Sequence, residues 1–374
     1  MLCADPASIK ERAVRRALEL GAGAVRVSPA LPDAESRRRM EASFERGDFK
    51  TWRYDSQYAK RANDPAELLR GARSVVCVAL PYAQDESEKT SGPLRGRVSS
   101  YARSGDYHRE MQALLRGVAD VIDDAAGAGV TAIACDTRPL AERAFAARAG
   151  LGWIGKHTNI ISPEHGSFVF LGEIVTTVEL PADAPLRKSC GACTRCVEVC
   201  PTGALRGDYT IDATRCISDL TQRTDSIPKQ LRPLMGDWVW GCDICQIACP
   251  PNAMVSRRDA RTGKAARPLL VELLRMRSGS FKRRYAKTAM GWRGAAILRR
   301  NAAVALGNAL DRSAVGALIE SLCGDPHPMV RGHAAWALGR IGSPAAVVEL
   351  RRRYAAEEDR GVRAEIAAAL EVFA

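Results

Sequence analysis

No apolar run in this 374-residue chain approaches the roughly 18 residues that a membrane-crossing helix needs. The N-terminal stretch "MLCADPASIKERAVRRALELG" is charged throughout, so it lacks the uninterrupted apolar segment of a secretory signal, and no twin-arginine signal stands in a suitable place. The sequence therefore argues against membrane insertion and export, and the expected location is the cytoplasm. What remains is the composition of a globular protein, 46% hydrophobic and 26% charged. The chain is long enough for two or three domains, each with its own core.

Twelve cysteines are the first positive feature. In a cytosolic protein of this size they point to metal or redox chemistry rather than to a disulfide framework. Residues 190–201 read "CGACTRCVEVCP", with the spacing C-x2-C-x2-C-x3-C-P, and residues 241–250 read "GCDICQIACP". With Cys216 between the two runs, eight cysteines are available, the number that two 4Fe–4S clusters require. In this motif three cysteines of a short loop serve one cubane and the fourth reaches the other cluster. The assignment is Cys190, Cys193, Cys196 and Cys249 to one cluster and Cys200, Cys216, Cys242 and Cys245 to the second. A zinc ribbon is the alternative, but it fits poorly with three cysteines at x2 intervals and with runs that end in Cys-Pro. Cys3, Cys77, Cys135 and Cys323 are left over, and Cys77 reads as core.

Periodicity supplies the scaffold. Residues 8–20, 107–127 and 140–150 have helical spacing, and residues 74–82, 130–136 and 167–180 read as strands. Their alternation predicts a layered α/β domain up to about residue 180. Near the C-terminus "AAVALG" at 302, "AAWALG" at 334 and "IAAALE" at 366 recur at a 32-residue period, the mark of a short HEAT-like array. Net charge is +12, and residues 257–312 hold fifteen Lys/Arg against three Asp/Glu. A polyanion, nucleic acid first, is the expected partner, with a solvated basic face as the plain alternative.

The stretch from 135 to 174 is the second informative one. Asp136 falls at the end of a predicted strand, where layered α/β proteins gather their active sites. As Asp-Thr ahead of Pro139 it also reads as an ordinary helix cap. Gly150, Gly152 and Gly155 match a dinucleotide fingerprint in form. They follow a helix instead of joining a strand to one, which excludes that use. They read instead as room for close approach to a large flat ligand.

Taken in order, "YARSGDYH" (101–108), "AERAFAARAGLGWIGKH" (141–157), "GSFVFLGEI" (166–174), the two cysteine runs, "RCISDLTQ" (215–222) and "WRGAAILRRNAAVAL" (292–306) resemble the epoxyqueuosine reductases over nearly the whole chain. That cobalamin-dependent family reduces the epoxide of epoxyqueuosine at the tRNA wobble position, the last step to queuosine. The resemblance implies three parts: an α/β (α+β) layered cobalamin-binding catalytic domain at 1–182, a ferredoxin-like domain with two 4Fe–4S clusters at 183–255, and a basic connector with HEAT-like α-helical repeats at 256–374. It implies base-off cobalamin without a protein axial ligand, and no D-x-H-x-x-G signature is present. It makes Asp136 the proton donor, a role that needs desolvation against the corrin and substrate to raise its pKa. Arg61, Ser99, Asp136, Ile160, Leu171, Ser218 and Asp243 are the implied cobalamin contacts. Lys282, Arg283, Lys287, Arg293 and Arg300 are the expected contacts to the tRNA backbone. A flavodoxin- or ferredoxin-type electron donor and a monomeric state complete the expectation. The rival readings are a corrinoid reductive dehalogenase for a small molecule and an electron-transfer scaffold.

Overall fold

The computed structural model describes residues 5–82, 94–254 and 267–373. Cys3, much of the basic connector and the expected boundary at 255/256 lie outside the described residues. Eight strands form among those described: β1 (Ala24–Pro29), β2 (Ser74–Pro81), β3 (Arg97–Val98), β4 (Thr131–Ala134), β5 (Trp153–Ile154), β6 (Ile160–Ile161), β7 (Val169–Thr176) and β8 (Trp238–Trp240). The described residues divide into two compact units. The first takes residues up to 82, then 106–214 and 244–254, and the second takes 94–105, 215–243 and 267–373.

In the first unit β1, β2, β7 and β4 make one sheet in that order, and every pairing is antiparallel. The layered expectation therefore holds as α+β. Strand β2 is apolar from Val75 to Pro81 because both of its faces are covered. Val76, Val78 and Leu80 pack with Val25, Val27 and Ile174 under the helices Pro6–Glu19 and Tyr107–Ala126. Val75, Cys77 and Ala79 face the other way, toward Phe145, Ala146 and Ala149 around the helix Glu142–Arg148. The period of two along the strand produces this division. By the same alternation Glu173 of β7 joins Val169, Leu171 and Val175 on the second face, opposite Cys77 and Ala134.

Strand β4 is half the length of β7. It pairs Thr131–Ala134 with residues 173–176 and leaves the stretch 169–172 without a partner on that side. The chain departs there, through Cys135 and Asp136.

In the second unit the three sequence repeats lie on the helices Ala295–Ala309, Pro328–Ile341 and Arg360–Glu371. Their closing glycines set the spacing. A Cβ at Gly307 would stand 2.9 Å from Ala337 Cα, and one at Gly339 would stand 3.0 Å from Ala369 Cα. Small residues at those positions let successive helices pack backbone against backbone. Among the described residues no helix is long and apolar enough to cross a membrane.

Candidate functional site

Asp136 occupies the left-handed region, φ 53°, which a non-glycine residue adopts only when its surroundings hold it there. Three groups do so. The Tyr107 hydroxyl donates to Asp136 Oδ2 at 3.0 Å, and His108 Nε2 lies 3.3 Å from the same oxygen. The Asp136 backbone N–H donates to Glu142 Oε1. Tyr107 is itself fixed by stacking on Phe170, with centroids 4.1 Å apart and planes 2° from parallel. His108 Nδ1 meets Asp106 Oδ1 at 2.7 Å. Asp136 is therefore no helix cap. The residue capping Glu142–Arg148 is Ala141, without a side-chain bond.

These contacts set the local protonation. His108 holds the Asp136 carboxyl below the ordinary carboxylate range against the opposing effect of burial, and Asp136 in turn raises His108. In the protein alone the bonded imidazole outweighs burial at Asp136. The lifted acids are its neighbours. Burial pushes Glu142 up to about 7 and Glu173 well above its usual range. Both carboxylate oxygens of Glu173 are buried without a hydrogen-bond partner.

Asp136 and Glu142 share one pocket with Tyr82, Tyr107, Phe170 and Leu171. Ile160 and Val169 extend its apolar wall, and Asn159, Ser167 and Gln246 supply polar groups. Three of the seven implied cobalamin contacts, Asp136, Ile160 and Leu171, therefore meet. Arg61 is exposed on the helix Ser56–Ala62. Ser99, Ser218 and Asp243 belong to the second unit. There the buried Asp243 carboxylate accepts from Ser99 Oγ, from Ser100 N at 2.7 Å and from Ser100 Oγ at 2.8 Å. Ser218 Oγ accepts from Gln222 Nε2 at 3.2 Å.

The glycines of 150–155 serve the chain's own packing rather than a flat ligand. A Cβ at Gly150 would stand 2.1 Å from the Ala184 carbonyl oxygen, one at Gly152 2.5 Å from that of Ile161, and one at Gly155 2.8 Å from the His157 ring.

Cys249 lies near the thiols of Cys190, Cys193 and Cys196. Burial first, and then those three neighbours, push it up to about 12. Asn252 ties this region to the start of β7. Its Oδ1 accepts from Ser167 N at 2.6 Å, and its Nδ2 donates to Ser167 Oγ and to the Gln246 carbonyl. Sequence reading passed over Asn252, Gln246, His108, Glu142 and Glu173. Glu173 did leave a signal: a lone carboxylate inside the apolar run "FVFLGEIV".

In the second unit Lys282, Arg283 and Lys287 are exposed. Arg293 is half-buried, its guanidinium 3.7 Å from the ring centroid of the exposed Trp292. Arg300 overturns its expectation as a phosphate contact. It is fully buried, and it donates to the carbonyls of Leu220, Arg223 and Asp225 at 2.8 Å each. The charge count could not distinguish a guanidinium facing water from one holding backbone. Arg300→Met leaves those carbonyls buried and unpaired and is expected to cost about 3–5 kcal/mol. Denaturant unfolding with unchanged stem-loop affinity in the surviving folded protein checks this, whereas a phosphate contact loses affinity at unchanged stability.

Residues 62–137 match the family model described as epoxyqueuosine reductase QueG, DUF1730. Residues 189–252 match a 4Fe–4S double cluster binding domain, and residues 293–371 match HEAT repeats. An epoxyqueuosine reductase of Bacillus anthracis is 33% identical over 386 aligned residues, which cover 99% of each chain. A crystal structure of an epoxyqueuosine reductase with an epoxyqueuosine-modified tRNA stem loop is similar at a TM-score of 0.92 and 31% identity, over 98% of this chain and 99% of that one. A Bacillus subtilis epoxyqueuosine reductase, with its catalytic aspartate loop swung out of the active site, gives 0.91 and 31%, over 98% of this chain and all of that one.

Proposed function

The chain belongs to the epoxyqueuosine reductase family, and on that premise we propose how its residues divide the reaction. The reaction is reduction of the epoxide of epoxyqueuosine, at the wobble position of tRNA, to queuosine. The double-cluster domain brings electrons one at a time. Cobalamin, when bound, supplies reduced cobalt able to attack an epoxide carbon. Its proposed seat is the pocket at the open end of β7. Ile160, Val169 and Leu171 offer an apolar wall, and Asn159, Ser167 and Gln246 offer partners for a macrocycle with amide arms. The resemblance adds Arg61, of the same unit, to the proposed contacts.

One observation carries the reading: Asp136, strained into the left-handed region, presents its carboxyl to the pocket between Tyr107 and His108. At rest this contact favours an ionised Asp136 and a protonated His108. Covering the pair with cofactor and substrate removes water from an ion pair, which favours the neutral arrangement with the proton on Asp136. Asp136 then stands ready to protonate the oxygen as the ring opens. The relative's catalytic aspartate loop supports this assignment. Titrating the purified protein with cobalamin tests the seat. Binding is expected to weaken in Leu171→Asp, a charge on the apolar wall, and equal affinity in that variant would move the cofactor elsewhere.

Lys282, Arg283, Lys287 and Arg293 are the proposed phosphate contacts, with HEAT repeats beside them in the same unit. Replacing Lys282, Arg283 and Lys287 together by Ala is expected to weaken stem-loop binding and to lower the slope of log affinity against log salt by about two to three. An unchanged slope would remove these residues from the interface. A flavodoxin- or ferredoxin-type protein is the proposed electron source, and the proposed working form is a monomer.

A further inference from the structure

Turning an epoxide into an alkene breaks both C–O bonds, forms the C=C bond between their carbons and releases the oxygen as water. The balance requires two electrons, which the clusters of the established activity deliver, and two protons. Asp136 accounts for one proton. Among the side chains around its pocket, Tyr82, Tyr107 and Arg143 are weak acids at neutral pH, and Glu142 is the other carboxyl.

Resting on the reading above, we propose that Glu142 is the second acid of the reaction, holding at the pocket wall the proton that completes the departing water. Three features of the fold place it there. Glu142 opens the helix Glu142–Arg148 and lines the same pocket as Asp136. Its Oε1 is tied to the Asp136 backbone N–H, so the two carboxyls keep a fixed relation through a strained turn. Behind it Glu173 is wholly buried on the same face of the sheet, with neither oxygen paired. Burial foremost, and then the charge of Glu142, hold Glu173 well above its ordinary range, so the two carboxyls resist ionising together.

The groups that bear on Glu142 come from every surrounding element. The Asp136 backbone N–H favours its ionisation and the Asp136 charge opposes it, while Arg143 and His108 favour it; its own charge in turn opposes ionisation of Glu173. Cys77 and Cys135 feel its charge, as does Tyr58 from the helix Ser56–Ala62. With burial foremost, Glu142 gives up its proton at about pH 7. An acid works while protonated, so the rate is high below that value and falls as pH rises through it.

The test uses Glu142→Gln, which keeps an oxygen for the Asp136 N–H and cannot deliver an acid proton. Single-turnover conversion of an epoxyqueuosine stem-loop by the loaded enzyme is expected to slow by about 10²-fold at unchanged stem-loop affinity. The fall in rate above neutrality is expected to vanish. Infrared spectra of the protein without substrate provide the second readout. A carboxylic-acid carbonyl band that is lost between about pH 6 and pH 8 in the native protein is expected to be missing in Glu142→Gln. A variant with native rate and native pH limb overturns the proposal, and so does a titrating band that survives the substitution. If the native enzyme leaves the stem-loop unconverted under reductant, the reading beneath the proposal falls with it, and the infrared band shows which of the two failed.

Discussion

Asp136→Asn is expected to lower turnover of the epoxyqueuosine stem-loop by about 10²–10⁴-fold while cobalamin and stem-loop affinities stay at native levels. The amide keeps an oxygen that can accept from Tyr107 and His108, so the turn and the pocket wall survive. What it lacks is an acidic proton. The size of the effect follows from the timing of the chemistry. Opening the epoxide places negative charge on oxygen, and without a neighbouring acid that alkoxide forms unprotonated in a closed site. Because His108 is bonded to the Asp136 carboxyl and sets its protonation, His108→Gln is expected to lose much of the same activity, while Tyr107→Phe, which removes one hydrogen bond, loses less. Single-turnover kinetics on the three variants order them, and native turnover in Asp136→Asn would remove Asp136 from the chemistry.

Cys249→Ser is expected to abolish turnover and to halve the iron content, from about eight to about four atoms per chain. Its thiol lies near those of Cys190, Cys193 and Cys196, and each neighbour disfavours ionisation of the others. Four such thiols can all become thiolates only when a cationic cluster compensates them, so removing one ligand removes a cluster. The second cluster, proposed on Cys200, Cys216, Cys242 and Cys245, retains its ligands, which is why iron falls by half and not to zero. Loss of one cluster interrupts electron delivery to the pocket. Cys323→Ser is the control. Cys323 contacts Glu349 in the repeat region, and its replacement is expected to leave iron and turnover unchanged. Iron and sulfide analysis decides the matter, and a full complement in Cys249→Ser would reassign the ligand.

The difference between what the sequence made legible and what it hid has a physical basis. The cluster cysteines were legible because a cubane demands sulfur at short, fixed intervals, and intervals are local. The strand β2 and the three repeat helices were legible because a short apolar run closed by proline and periods of 3.6 and 32 residues are also written locally. The protonation of Asp136 was not, because Tyr107 and His108 stand 29 and 28 positions away and meet it only when the helix Tyr107–Ala126 packs on the sheet. Arg300 was misread for the same reason: a charge count carries no burial, and its carbonyl partners lie 75 to 80 positions earlier. The glycines at 150–155 showed that backbone approaches closely, but not whether the approaching group is a ligand or the carbonyls of Ala184 and Ile161.

The most direct measurement is anaerobic incubation with an epoxyqueuosine-containing anticodon stem-loop under chemical reductant, with and without added cobalamin, read by mass spectrometry of the nucleosides. The expected result is conversion to queuosine, with loss of one oxygen, that requires both reductant and cobalamin. Conversion that proceeds equally well in protein stripped of cobalamin would contradict the proposed use of the Asp136 pocket. An unaltered stem-loop alongside intact cluster and corrin spectra would contradict the reaction itself.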